Sequence, residues 1–136
     1  MRHITHWLTG KQGDMVEGAI TLPVMALLAL ALVNLALAGY AANTAQNAAA
    51  YAARMAAVTQ DNPAARGLNA ANQVLAQTGV GEYSVNVAAD ARPGGQVQVV
   101  VTWEAPNVFG GLLSLFGGEN KPIQGKAVAV QRKEGW

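Results

Sequence analysis

From Gly13 to Ala38 the chain reads GDMVEGAITLPVMALLALALVNLALA, and one carboxylate, Glu17, stands immediately before a long uncharged run. Ile20 to Ala38 contains no Asp, Glu, Lys or Arg, and Asn34 is its only strongly polar side chain. About twenty such residues in a helix cross the hydrocarbon of a bilayer, so this stretch predicts a membrane-spanning helix. An acid at the edge of that helix is costly unless a cation or a hydrogen-bond donor meets it, which makes Glu17 a functional candidate whose natural partner belongs to a neighbouring copy.

After Gly39 the composition changes from Leu-rich to Ala-rich, GYAANTAQNAAAYAARMAAVTQ, without a residue that stops a helix. One helix over 14–60 is therefore expected, roughly 70 Å long at 1.5 Å per residue, its first half suited to lipid and its second to packing in water. Pro23 should kink it locally, as membrane helices tolerate. Small side chains along the second half would let neighbouring helices approach closely; the same face could instead lie as an amphipathic stalk on the C-terminal domain.

Asp61-Asn62-Pro63 breaks and caps, and a second helix is expected over 63–78, ended by Gly79. Tyr83, Val85 and Val87 then alternate with polar residues, as do Val97, Val99, Val101 and Trp103, predicting two half-buried strands joined at Arg92-Pro93-Gly94-Gly95. A third strand is expected over 124–133, with Val128 and Val130 on one face and Ala127 and Ala129 on the other. The fold class that follows is α+β, a long N-terminal hydrophobic helix, a second shorter helix and a small three-stranded antiparallel sheet. Its divisions are a tail or leader-like segment at 1–13, the long helix at 14–60 and an outward-facing head at 61–136.

Between the second and third strands, Ala105 to Asn120 reads as a loop too apolar for ordinary solvation, bearing Val108, Phe109, Leu112, Leu113, Leu115 and Phe116, of which Phe109, Leu112, Leu113 and Phe116 are the candidate intersubunit contacts. It either closes the core of the head as a lid or forms a patch buried by a neighbouring subunit.

Charge settles orientation and removes one class of partner. Arg2 and Lys11 precede the apolar stretch and no Lys or Arg follows until Arg54, which places the N-terminus in the cytoplasm and the head outside. Charged residues make up only 12% of the chain and the net charge is +1, too little for a basic field that binds nucleic acid. The 136 residues include no cysteine, which excludes disulfides, thiolate metal sites and thiol catalysis. Ala36-Leu37-Ala38 before Gly39 fits a signal-peptidase site, although Asp14 and Glu17 sit poorly beside the apolar core of a signal peptide.

Candidate chemistry is sparse. His3 and His6 share a helical spacing without a carboxylate or thiol near them to complete a metal shell. Asp14 and Glu17 are also three apart, yet they stand at a membrane boundary, where helix N-terminal acids favour the macrodipole. With both histidines in the tail, no Ser-His-Asp arrangement forms, and no phosphate-cradling glycine loop follows a strand. Neither catalysis nor a cofactor nor a metal site is expected.

Gly13, Val16, Glu17, Leu22 and Pro23 form a pattern of glycine, Val-Glu pair, Leu-Pro and long apolar helix that resembles the TadE-like branch of the type IV pilin superfamily. The likeness extends through the Ala-rich helix, the valine strands and the apolar loop. It implies a subunit stored in the inner membrane, extracted by assembly machinery with an ATPase, and packed with identical subunits into an extracellular helical filament. It also implies that Glu17 pairs with a neighbour's N-terminal amine after leader removal at Gly13. Pilins usually carry this glutamate fifth after the leader glycine, whereas Glu17 is fourth after Gly13 and Asp14 would become the new terminus. Without cleavage, its cation would be Lys11, Arg2 or the amine of Met1. Glu17, Lys11, Asp14, Pro23 and Asn34 are thus the candidate assembly residues. The alternatives are a minor pilin and a single-pass anchored binding module that does not polymerise.

Overall fold

The computed structural model describes residues 6–90 and 92–134, with side chains described from Met15 onward. In chain order its elements are helix α1 (His6–Ala57), helix α2 (Pro63–Leu75), strand β1 (Glu82–Ala89), strand β2 (Gln96–Ala105), helix α3 (Val108–Ser114) and strand β3 (Ile123–Arg132). The α+β architecture read from the sequence is present. Its sheet is antiparallel with order β1-β2-β3.

α1 is one helix of 52 residues and begins upstream of the predicted start at 14. Gly10 and Gly13 lie within it, since a glycine lowers helix propensity by about 1 kcal/mol without blocking the hydrogen-bond ladder. The helix also continues through Pro23, whose missing N–H leaves one carbonyl of the preceding turn without its usual donor.

The two halves of α1 live in different surroundings. Met15, Val16, Ile20, Leu22, Val24, Met25, Leu28 and Leu32 are all exposed, whereas Ala41, Ala45, Ala48, Ala49, Ala52, Ala53 and Ala56 are completely buried. The Ala-rich face therefore packs inside its own domain, against α2, β2 and β3. Tyr40, Asn43, Asn47, Tyr51 and Arg54 face outward from the same length of helix.

Small residues meet small residues at this contact. Strand β3 turns Gly125, Ala127 and Ala129 toward the core and leaves Val128 and Val130 outside. The expected alternation is present; the alanines face inward because α1 crosses β2 and β3 on that side and its own surface is alanine. Opposite them β2 supplies bulk, with Val99 paired to Ala129, Val101 to Ala127 and Trp103 to Gly125. A Cβ on Gly125 would run into the indole of Trp103, so the large ring occupies the space that the glycine leaves.

α2 packs on α1 and on β1. All three meet at buried Gly67, where a Cβ would lie 3.1 Å from Ala56 Cβ and 3.3 Å from Val87 Cγ1. The N-terminus of α2 is capped by Asn62, which adopts φ 52° and accepts from the Ala65 N–H at 3.2 Å. At the other end, α2 stops at Leu75, and the Thr78 hydroxyl donates to the Leu75 carbonyl at 2.6 Å within the turn that carries the chain to β1.

Two backbone ties fasten the residues after β3, one within the head and one to the end of α1. Lys133 N–H donates to Gly95 O at 2.7 Å, beside the β1–β2 turn, and Glu134 N–H donates to Ala57 O at 3.3 Å.

Candidate functional site

The predicted loop between β2 and β3 contains a helix, α3, and that helix packs against α1. Apolar residues in a water-facing loop leave solvent if the backbone can pair with itself, and Asn107 starts that pairing. Its side-chain oxygen accepts from Gly110 N–H at 2.8 Å, a regular N-cap, while its amide donates to Lys121 O at 3.0 Å. Gly110 is buried, and a Cβ there would strike the side chains of Asn107 and Asn120.

The second cap comes from the apolar helix. Asn34 Oδ1 accepts from Val108 N–H at 2.8 Å and from Phe109 N–H at 3.4 Å, and its amide donates to Asn107 Oδ1 at 2.8 Å. One side chain thereby satisfies both its own polar ends and the first backbone donors of α3. Leu30, Asn34 and Leu37 are half-buried, and their spacing puts them on one side of α1.

Of the four apolar loop candidates, Phe109 and Leu112 are half-buried, whereas Leu113 and Phe116 are exposed. Leu115 and Phe116 project furthest, at 78% and 83% exposure. The segment is thus partly a docked helix and partly an uncovered apolar tip.

At the other end of the span, Glu17 is exposed, and among the described residues no cation stands within ion-pair distance of it. The side chains of Lys11 and Asp14 lie outside the described residues, as do Arg2, His3 and the side chain of His6, and Gly13 is known only as a helical position. Pro23 is exposed within α1. Thr21, the other polar side chain of the span, donates its hydroxyl to Glu17 O at 2.7 Å. The structure therefore brings Asn34 to the 105–120 segment and leaves Glu17 and Pro23 on an uncovered helix.

Elsewhere an open groove of about 400 Å³ is lined by Gly81, Glu82, Glu104, Ala105, Pro106 and Pro122. Glu82 and Glu104 face each other across β1 and β2, and Gln124 Nε2 donates to Glu104 Oε1 at 2.8 Å. No nucleophile or histidine joins these carboxylates among the lining residues. Among the described residues no group of three or more His, Asp or Glu is arranged to hold a metal.

The sequence candidates omit Asn107 and Gly110. A signal for both exists in the order Pro106-Asn107 before an apolar run, with a small residue three positions after the Asn.

An uncovered apolar helix bearing a small α+β head suggests a membrane-anchored protein. The helix from Met15 is long and apolar enough to cross a bilayer, and its most hydropathic window is entirely unburied. Among known families, the model of TadE-like proteins matches residues 15–54, the segment containing Glu17, Pro23, Asn34 and most of the alanine face, which is consistent with a TadE-like protein of the pilin type. No curated protein and no solved structure matches the chain. The family match suggests a protein associated with the Tad pilus and its assembly.

Proposed function

We propose that this chain is a structural pilin-like subunit, held in the inner membrane with its N-terminus in the cytoplasm and then polymerised through the apolar half of α1 into an extracellular filament. The observation that carries it is the division of α1. The alanine face is buried within the head, so the leucine half, exposed except along the side where α3 docks, is the surface available to lipid first and to identical subunits later. Leaving lipid for a bundle of similar helices changes little apolar exposure, so packing and charge pairing decide the assembly. Glu17, at the foot of that surface, is the group on which a neighbour's amine or Lys11 would act. Extraction requires work, which an ATPase-driven machine supplies. The protein acts in this account without catalysis or a cofactor.

A minor pilin, which starts or caps a filament built mainly of another protein, is the second reading, and an anchored binding module is the third. Immunogold labelling of surface filaments with an antibody to the head separates them. Labelling along the filament length supports a main subunit; labelling at ends supports a minor one; label confined to the cell envelope supports the anchored module.

A further inference from the structure

We infer that the α3 tip, residues 108–118, is a second membrane contact: before assembly it lies in the outer leaflet beside α1, with Leu113, Leu115 and Phe116 in lipid. The inference rests on α1 being the membrane anchor and adds a surface that the anchor alone does not provide.

Depth is the first support. With Glu17 at the inner boundary, a hydrocarbon core of ~30 Å takes in about 20 residues and ends near residue 37. Asn34 stands about 25 Å above Glu17 at 1.5 Å per residue, inside that limit. α3 is fastened to Asn34 by hydrogen bonds of 2.8 Å from Val108 N–H and 2.8 Å to Asn107 Oδ1. Any lipid that covers the exposed upper turns of the span therefore also meets α3.

Backbone pairing is the second. Non-helical backbone enters lipid only when its polar groups are satisfied within the protein. Here Val108 and Phe109 donate to Asn34, Gly110 donates to Asn107 Oδ1, and Gly111 donates to Asn107 O. At the far end Leu115, Phe116, Gly117 and Gly118 donate to carbonyls of Leu112, Leu113, Ser114 and again Leu113, while the Ser114 hydroxyl donates to Gly111 O. These bonds satisfy the backbone donors at both ends of the segment without water.

Charge is the third. Pro106 to Gly118 contains no ionisable side chain, and the sequence then turns at once to Glu119 and Lys121, which pair at 2.6 Å and are largely exposed. In sequence that boundary has the composition of an interfacial margin, apolar residues giving way at once to charges.

The absence of cysteine lets single-cysteine variants of the full chain report position directly. An environment-sensitive fluorophore is attached to Phe116→Cys, to Leu28→Cys in mid-span and to Ser84→Cys on the outer face of β1. Each protein is reconstituted sparsely into phosphatidylcholine–phosphatidylglycerol vesicles carrying a nitroxide near the headgroup or deep in the acyl chain. The expected result is strong quenching at Phe116 by the shallow nitroxide, quenching at Leu28 by the deep one, and none at Ser84. Combining Phe116→Cys with Asn34→Leu should reduce the Phe116 quenching while Leu28 is unchanged. Phe116 behaving like Ser84 while Leu28 is quenched would overturn the inference and leave the anchor intact. No quenching at Leu28 would overturn the anchor itself, and the inference with it. A Phe116 signal that changes only at high protein-to-lipid ratio, without quenching, would assign the tip to a second copy of the chain and overturn the lipid contact.

Discussion

Asn34 Nδ2 donates to Asn107 Oδ1 across 2.8 Å, joining the apolar helix to the β2–β3 connection over 73 positions of sequence. An asparagine in a bilayer-length run exposes two polar groups that lipid cannot satisfy, and here both are met by the start of α3. Asn34→Leu removes that pairing while making the span more apolar. It should leave membrane insertion intact and cost α3 about 1–2 kcal/mol of local stability. Amide exchange checks this: protection at Val108 and Gly110 should fall while Val99 and Val101 are unaffected. Asn107→Ala should act on the same amides, and the double variant should cost less than the sum of the two, because both residues serve one cap.

Gly67 controls how closely α2 approaches α1. With a Cβ already 3.1 Å from Ala56 Cβ, larger side chains must push the helices apart, which outweighs the gain in helix propensity. Gly67→Leu should lower stability by about 1–3 kcal/mol in thermal or denaturant unfolding. Gly79→Ala, where a Cβ meets nothing within 4 Å, should fall within about 0.5 kcal/mol of the parent.

The Trp103–Gly125 pair predicts an opposite response to β propensity. Valine is a better strand residue than glycine by up to about 1 kcal/mol, yet at position 125 its side chain would meet the indole of Trp103. Gly125→Val should destabilise the head by about 2 kcal/mol. The near-ultraviolet circular dichroism of the tryptophans should change with it, since Trp103 would lose its seat over β3.

Glu17→Gln keeps the shape of the side chain and removes its charge. If a neighbour's cation meets Glu17 during polymerisation, the loss of one charge-assisted contact should reduce filament yield by about ten-fold. Membrane recovery of the variant should match the parent. Normal yield of sheared filaments from Glu17→Gln would contradict the pairing.

Much of this fold is legible in the sequence because its signals are local. The valine alternation locates β1 and β2, Asp61-Asn62-Pro63 marks the start of α2, and the uncharged run after Glu17 marks the exposed helix. The direction of β3 was not legible, since inward alanines contradict the usual preference for burying the larger side chain. That choice is explained only by the alanine face of α1 on the opposite side of the contact. α3 was hidden for a related reason: a seven-residue segment containing two glycines has weak helix propensity, and it is held by Asn34 from a distant part of the chain. Of the candidate assembly residues, Asn34 gained an identifiable partner through that same tertiary contact. Glu17 shows none among the described residues, and the side chains of Lys11 and Asp14 lie outside them.

Intact-mass spectrometry on the high-speed pellet of material sheared from the cell surface tests the central claim most directly. The account predicts this chain as a dominant species of the pellet, and its mass will show whether residues 1–13 are retained. Its absence from the pellet, with full recovery from membranes, would contradict the role of main filament subunit.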